Sequence, residues 1–398
     1  MAQQKKINTQ ILVLPSWYPN QLDKFAGDFI QRHVKAISAL RFQYIIYVVK
    51  DDFAKITSDV FINTHVNEHY TEKIIYYHCK KTGIRVLDKI ISQLKLNQLY
   101  FKALNEYVNI NGTPALIHVH VILKAGLIAL WAAKKWNIPF IISEHWSVFL
   151  EEANYKIEDL SIIDRLSIKK IFRNAVALTT VSDRLGKSIS KKYKAPAYTV
   201  IPNVVDHTIF FPVNHHKSNS VHFIHASNMV YEKNTESIIK AFGILKNYKF
   251  DGVLNLYGPA PESLKILSKE LGLDNMVFFR GEVDQIILAS AMQQSDALLL
   301  YSRFETFGCV IIEANAVGIP VIVSELPVFH ELIIENQNGH FVEADNSNAL
   351  ADKLIEFSKS KNSFDKNQIV QSTAKYGFGN VATQFDKLYR QLLSENSF

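Results

Sequence analysis

Tyr301-Ser302-Arg303-Phe304-Glu305-Thr306-Phe307-Gly308-Cys309-Val310-Ile311-Ile312-Glu313-Ala314 carries two glutamates eight positions apart, directly after the apolar run 297–300. The run reads as a buried parallel strand, and the spacing after Gly308 reads as a helix that opens where the strand ends. Open α/β sheets bind ligands at such carboxyl ends. On this reading Glu305 lies on the connecting loop and Glu313 two turns into the helix, so the carboxylates hold two parts of one extended polar ligand. Backbone N–H groups from Thr306 through Phe307 and Gly308 to Cys309 face a negative group at the helix start. Carboxylates for hydroxyls beside amides for an anion suit a nucleotide sugar. A glutamate on a wet helix face is the plainer reading of Glu313, but Ile311, Ile312 and Ala314 around it read as buried.

Outward from this stretch, apolar runs alternate with helical stretches along the whole chain. Strands are expected at 11–14, 44–49, 116–121, 140–143 and 176–181, then again at 221–225, 253–257, 277–279, 297–300 and 321–323. Such alternation predicts parallel sheets with helices on both faces. With 398 residues the chain is too long for one ordinary core and fits two domains. The boundary is expected near Asp206, with residues 1–206 and 207–377 as the domains and 378–398 as a terminal helix packing back on the first. Two α/β halves meeting at a linker form a cleft, a usual place for a small-molecule site.

The net charge of +6 hides an asymmetry: residues 1–206 hold 28 Lys and Arg against 17 Asp and Glu, while residues 207–398 hold 16 against 21. The first half is the one suited to an anionic surface or acceptor, unless its lysines are simply solvated. No helix-turn-helix, RNP-like or zinc-finger pattern accompanies the charge, so nucleic acid is not an expected partner. The basic stretch 80–107 reads as amphipathic; it suits a membrane surface, or a helix with one face in the core and one wet. Cys79 and Cys309 are the only cysteines, which argues against a disulfide framework and for a reducing compartment. Lacking a signal-peptide core or a membrane-span pattern, the chain is expected in the cytoplasm, with peripheral contact at the inner face of the cell membrane.

With these segments in place, the chain resembles the family 4 glycosyltransferases of the GT-B fold. Ser16-Trp17-Tyr18-Pro19, then Gly27-Asp28-Phe29-Ile30 and His33, look like the family's first loop and helix; Ser143-Glu144-His145-Trp146-Ser147 looks like its Glu-His-Trp motif. Ile201-Pro202-Asn203-Val204-Val205-Asp206 is similar to the family's approach to the hinge. Leu256-Tyr257-Gly258-Pro259 stands where Gly-Asp-Gly is usual, and the glutamate pair followed by Gly318-Ile319-Pro320 matches the most specific signature. The resemblance implies two Rossmann-like α/β domains facing across a cleft, the first on the acceptor side and the second binding the donor. One departure stands out: Asn228 occupies the position where the family has an Arg, although Lys233 is kept. A neutral amide offers a phosphate no charge and no bidentate fork. Either another cation such as Arg303 substitutes or the diphosphate is held more weakly.

The resemblance also implies roles. Lys233, the amides after Glu305 and Asn228 would stabilise the departing diphosphate, with Gly27 letting backbone approach it from the other domain. Glu313 would accept the ribose hydroxyls, Glu305 would contact the transferred sugar, and main chain near Val283 would read the base. His145 would meet the sugar near the reacting carbon, with Glu144 either orienting it or pointing elsewhere. Most members retain the anomeric configuration, and nothing in the sequence marks a carboxylate nucleophile of the glycosidase kind. No Asp-x-Asp occurs, so neither a metal nor any cofactor beyond the nucleotide sugar as co-substrate is expected. The acceptor is expected to be a glycan, lipid-linked or polysaccharide. Two rivals stay open: a sugar-nucleotide epimerase of the same fold, and a non-catalytic sugar-nucleotide-binding relative. An oxidoreductase, hydrolase or NTPase lacks its glycine or serine motif here.

Overall fold

The computed structural model describes residues 10–53, 55–56, 58–213, 220–361 and 363–395. Its first half is an eight-stranded sheet: β1 Ile11–Pro15, β2 Gln43–Lys50, β3 Val60–Val66, β4 Tyr70–Tyr77, β5 Leu116–His120, β6 Phe140–Glu144, β7 Ala177–Thr180 and β8 Tyr198–Val200. The second is six-stranded: β9 Val221–Ala226, β10 Gly252–Tyr257, β11 Val277–Gly281, β12 Ala297–Leu300, β13 Val321–Ser324 and β14 Gly339–Val342. Strand orders are β3-β4-β2-β1-β5-β6-β7-β8 and β11-β10-β9-β12-β13-β14. Every pairing is parallel except β3 with β4. This is the expected α/β class with two parallel sheets.

Alternation along the central strand shows why helices cover both faces. Leu12 and Leu14 of β1 point into a core with Tyr100 and Leu104 of the helix Arg85–Asn111 and with Ile128 of the helix Ala125–Trp136. Ile11 and Val13 point the other way, onto Ile30, Val34 and Ile37 of the helix Asp28–Ser38. The terminal helix Phe378–Glu395 joins that second layer through Val381, Phe385 and Tyr389, all inaccessible to solvent. Burying one such side chain is worth roughly 1.5–3 kcal/mol. Tyr389 is further fixed by a hydrogen bond between its hydroxyl and His118 Nδ1 at 2.7 Å. The chain therefore crosses between its halves twice, side by side, where the Val205 amide donates to the Tyr376 carbonyl at 3.0 Å.

The hairpin β3–β4 was not expected from the sequence. Asn67 shapes its turn, its side-chain oxygen accepting the amides of His69 and Tyr70 at 2.8 and 2.9 Å. Strands β8 and β14, short edge strands, were likewise unanticipated.

Both sheets have their switch point at the centre. In the first, the chain leaves β1 toward β2 and returns on the other side at β5; in the second it leaves β9 toward β10 and returns at β12. Crevices outside the carboxyl ends of strands at such points are where open sheets bind ligands. The loops after β1, β9 and β12 face one another across a single cavity.

Candidate active site

The cavity holds about 540 Å³, within the range usual for small-molecule sites. Its walls include Asn228, Lys233, Val283, Glu305, Thr306, Phe307, Gly308, Cys309 and Glu313 from the second half and His145 from the first. Of the residues expected to bind the donor, Gly27 is not on the lining, and neither are Glu144 and Arg303. Gly27 caps the helix Asp28–Ser38 with a left-handed backbone (φ 63°). A Cβ there would stand 2.7 Å from the Trp17 carbonyl, so the glycine admits Trp17 backbone and joins the two parts of the first loop.

After β12 the chain turns through Ser302 and Glu305 into the helix Cys309–Val317, whose N-cap Gly308 is left-handed (φ 98°) and supplies no side-chain cap. The amides at such an end lack intrahelical partners; that of Ile311 is taken by the Gly308 carbonyl at 3.0 Å, while Cys309 and Val310 line the cavity. Glu305 accepts from Lys233 Nζ at 2.5 Å and from Ser302 Oγ at 3.0 Å. Burial pushes the Cys309 thiol up to about 12, so this cysteine is no nucleophile at neutral pH. Opposite, Gly258 follows β10 at φ 128°, and a Cβ on it would overlap the Ser227 carbonyl oxygen beside Asn228. Arg303 is not the compensating cation: its guanidinium lies over the Tyr231 ring, donates to the Tyr231 carbonyl at 2.6 Å and pairs with Asp345, away from the cavity.

Glu313 has a partner that local sequence reasoning did not find. Arg32, on the helix Asp28–Ser38, reaches across the cleft to its carboxylate at 2.6 Å, and both side chains are under 10% exposed, at 8% and 6%. The same guanidinium pairs with Asp28 at 2.7 Å and donates to the Val204 carbonyl at 3.2 Å. Burial opposes its charge, but Glu313 and Asp28 outweigh that and its pKa is raised. Burial lifts the Glu313 carboxyl, with Arg32 pulling it down. Further links span the cleft: Gln285 Nε2 to Asp28 at 3.0 Å, Ser182 Oγ to the Thr306 carbonyl at 2.7 Å, and the Asp183 and Arg184 amides to Glu331 at 2.8 and 3.0 Å. An arginine within a helix has no local mark of such a contact; position 32 follows the quoted Gly-Asp-Phe-Ile segment, which was the available hint.

His145 follows β6 and packs on Phe29, ring centroids 4.8 Å apart. Glu144 does not orient its ring. The Glu144 carboxylate instead accepts the amides of His145, Trp146 and Ile122 at 2.8, 2.9 and 3.0 Å, fixing the turn itself. The imidazole of His145 lies among those of His33, His118 and His120; burial holds all four well below the usual histidine range, so they are neutral. His120 Nδ1 is 3.4 Å from His145 Nε2, and His145 Nδ1 has no protein partner. His33, His120 and His145 bring one ligand nitrogen each within 4.8 Å of one another, a grouping that a search for sequence spacing does not reveal. Tetrahedral zinc at about 2.0–2.1 Å spaces its nitrogens roughly 3.4 Å apart, so these rings would have to draw together to hold an ion.

The arrangement can thus hold an anion between Lys233 and a helix end, polyols on Glu305 and Glu313, and a neutral imidazole beside them. Comparison with known proteins bears on the family and the fold. The family "Glycosyl transferases group 1" matches residues 206–375, and "Glycosyltransferase Family 4" matches residues 59–209. An N-acetyl-alpha-D-glucosaminyl L-malate synthase of Bacillus anthracis is 33% identical over 138 residues, 34% of this chain and 35% of that protein. A phosphatidyl-myo-inositol mannosyltransferase of Mycobacterium leprae is 31% identical over 153 residues, 37% and 40% of the two chains. The matched stretch therefore spans well under half the length of these relatives. Among solved structures, a sucrose-phosphate synthase from Thermosynechococcus elongatus superposes with a TM-score of 0.78 at 19% identity, over 97% of this chain and 100% of that one. Anabaena HepE in complex with UDP and glucose superposes with a TM-score of 0.70 at 16% identity, over 96% and 99%. Both likenesses speak to the fold. With a family match on each half and two parallel-sheet domains meeting at one cavity, the chain belongs to the family 4 glycosyltransferases and has the GT-B architecture.

Proposed function

We propose that the protein transfers a sugar from a nucleoside-diphosphate sugar to a hydroxyl of a glycan acceptor, lipid-linked or polysaccharide, with retention of configuration and without a metal ion. The observation that carries this reading is the convergence of Lys233, Glu305, Glu313 and an open helix N-terminus in one cavity at the switch point of the second sheet. Donor and leaving group belong to residues 207–377. Lys233 and the amides of Cys309 and Val310 stabilise charge as it builds on the diphosphate, Asn228 adding a neutral hydrogen bond. Glu313 takes the ribose hydroxyls and Glu305 the hydroxyls of the sugar. Main chain at Val283 meets the base, and neutral His145 contacts the sugar from the acceptor side.

In the reaction the bond from the anomeric carbon to the diphosphate oxygen breaks, the bond to the acceptor oxygen forms on the same face, and the acceptor proton passes to the departing diphosphate. A front-face route of this kind needs no protein nucleophile, and the Glu305 carboxylate is engaged by Lys233 and Ser302. The glucosaminyl and mannosyl groups named for the two relatives support sugar transfer, and the UDP and glucose held by HepE support a nucleotide-sugar donor. The setting is the cytoplasm, at the inner face of the cell membrane.

A thermal-shift screen against UDP, GDP, ADP and their sugars tests the donor reading, since ligand at a hundredfold its dissociation constant adds roughly 2.7 kcal/mol. No shift with any of them overturns it. Transfer should persist in excess EDTA; loss restored by a divalent ion refutes metal independence and directs attention to His33, His120 and His145. Donor incubated alone should yield no isomerised sugar, which an epimerase would form.

A further inference from the structure

The first turns of the helix Arg85–Asn111 stand clear of the body of the protein. Val86, Leu87, Ile90, Ile91 and Leu94 are all exposed, Val86 at 66% and Leu94 at 63%. At about 100° per residue these five occupy an arc of about 140°. That arc is turned roughly 130° from the stripe of Leu96, Tyr100, Ala103, Leu104 and Tyr107 buried by the second half of the helix. In the second half of the helix this direction is covered, Phe101 and Val108 packing on the core, whereas in the first turns it is bare. Lys95 Nζ donates to the carbonyls of His78 at 2.8 Å and Asp59 at 3.4 Å, which sets the start of β3, with Val60 and Ile62 exposed, beside these turns.

Exposed Lys80 and Lys81 precede these turns, and exposed Arg85 and Lys89 lie on them, beyond the Val86 edge of the arc. The acidic Asp88 is engaged locally, accepting from the Thr82 amide and hydroxyl at 2.7 Å. Soluble proteins seldom leave contiguous apolar surface uncovered without use. A second copy of the chain would set these cations against their own kind. An anionic bilayer meets both features at once, accepting the apolar arc at the headgroup boundary and the cations at its phosphates.

We propose that this face, the start of the helix with the neighbouring edge of β3, docks the protein on an anionic lipid bilayer. The helix begins beyond the carboxyl end of β4, the same edge of the first sheet that faces the cleft, so docking brings the cavity mouth toward the lipid surface. The inference rests on the proposed function only in what the docking serves, namely delivery of a lipid-linked acceptor.

Sedimentation with vesicles tests it without any donor. The parent protein should bind phosphatidylcholine vesicles containing phosphatidylglycerol and leave pure phosphatidylcholine vesicles largely unbound. Binding should weaken between 0.1 M and 1 M salt, as the screening length falls from about 10 to about 3 Å. Joint Val86→Ser, Leu87→Ser, Ile90→Ser and Leu94→Ser should reduce binding at least tenfold at fixed lipid. Joint Lys80→Gln, Lys81→Gln, Arg85→Gln and Lys89→Gln should abolish the preference for anionic lipid. None of these side chains is buried, so circular dichroism and melting temperature should match the parent. Unchanged vesicle binding by the serine variant overturns the proposal, as does a parent that ignores anionic vesicles or a parent dimer that the serine variant dissolves. Nucleotide binding is measured separately on the same variants: its absence from the parent refutes the donor reading alone, and its loss only in the variants refutes a surface confined to lipid.

Discussion

The two walls of the cleft hold charge differently. The second-half wall presents Lys233 and Glu305 as a pair drawn from neighbouring loops of one sheet, the lysine still 23% exposed. On the first-half wall Arg32 is enclosed, with Glu313 taken from the other side as its partner, next to four neutral imidazoles. The glutamates of a single sequence motif thus have different partners. One, 9% exposed, is paired within its own domain with a lysine that still meets solvent; the other, 6% exposed, is shared between domains with an arginine that is itself enclosed. A ligand that needs Glu313 must share it with Arg32 from the opposite wall, whereas one that needs Glu305 shares it with Lys233 and Ser302 of the same half.

The largest effect expected from this contrast is on acid stability. His33 and His225 are lowered to about 4 and His118 to about 3, with His120 and His145 also well below a free imidazole, burial being the main cause in each. Between about 6.5 and 4 the unfolded chain therefore binds more protons than the folded one, each group adding a slope of up to about 1.4 kcal/mol per pH unit. Stability should be full above about 6.5 and fall steeply as pH drops toward 4. Glu144, pushed up to about 7 by burial, and Glu313, also lifted by burial, contribute the opposite sign, two groups against these five. Urea unfolding at a series of pH values checks this, and a flat profile from 6.5 to 4.5 would break the picture of a neutral imidazole wall.

Next in size is the cross-cleft pair. Arg32→Met leaves the Glu313 carboxylate buried without its cation, a change that costs about 3–5 kcal/mol where such pairs have been broken. The melting temperature should drop and amide exchange should rise at both faces of the cleft. Stability equal to the parent would mean that Arg32 and Glu313 part readily in solution. Lys233→Ala, the smallest in stability, removes a partly exposed partner and should cost about 1 kcal/mol or less. If the proposed chemistry holds, its transfer rate should nevertheless fall by about 10²–10³. A variant that unfolds, or that turns over like the parent, would remove the distinction between the walls.

Much of this architecture was legible because its signals are local. Apolar runs such as Ile11 to Leu14 and Ala297 to Leu300 have to be strands buried on both faces, and alternation with helices leaves parallel sheets as the economical packing. Gly308 with the residues around it announced a helix opening beside Glu305. Hairpin β3–β4 escaped because β3 is an exposed edge strand, so its side chains show no buried run to read. The amphipathic stretch around Lys89 was legible as a helix but not as a bare one, since periodicity gives an apolar side and never says what covers it.

By itself the sequence determined the two α/β halves, the loop and helix that carry Glu305 and Glu313, and the asymmetry of charge between the halves. These follow from side-chain period and composition, which act over a few residues or over a whole domain. Only the tertiary structure decided that Arg32 meets Glu313 across 281 positions of chain, that histidines from one helix, one strand and the turn after β6 converge, and that Glu144 holds backbone and not a ring. Such contacts depend on how the two open sheets bring their carboxyl ends together, and the desolvation that sets their charge exists only once the domains have met.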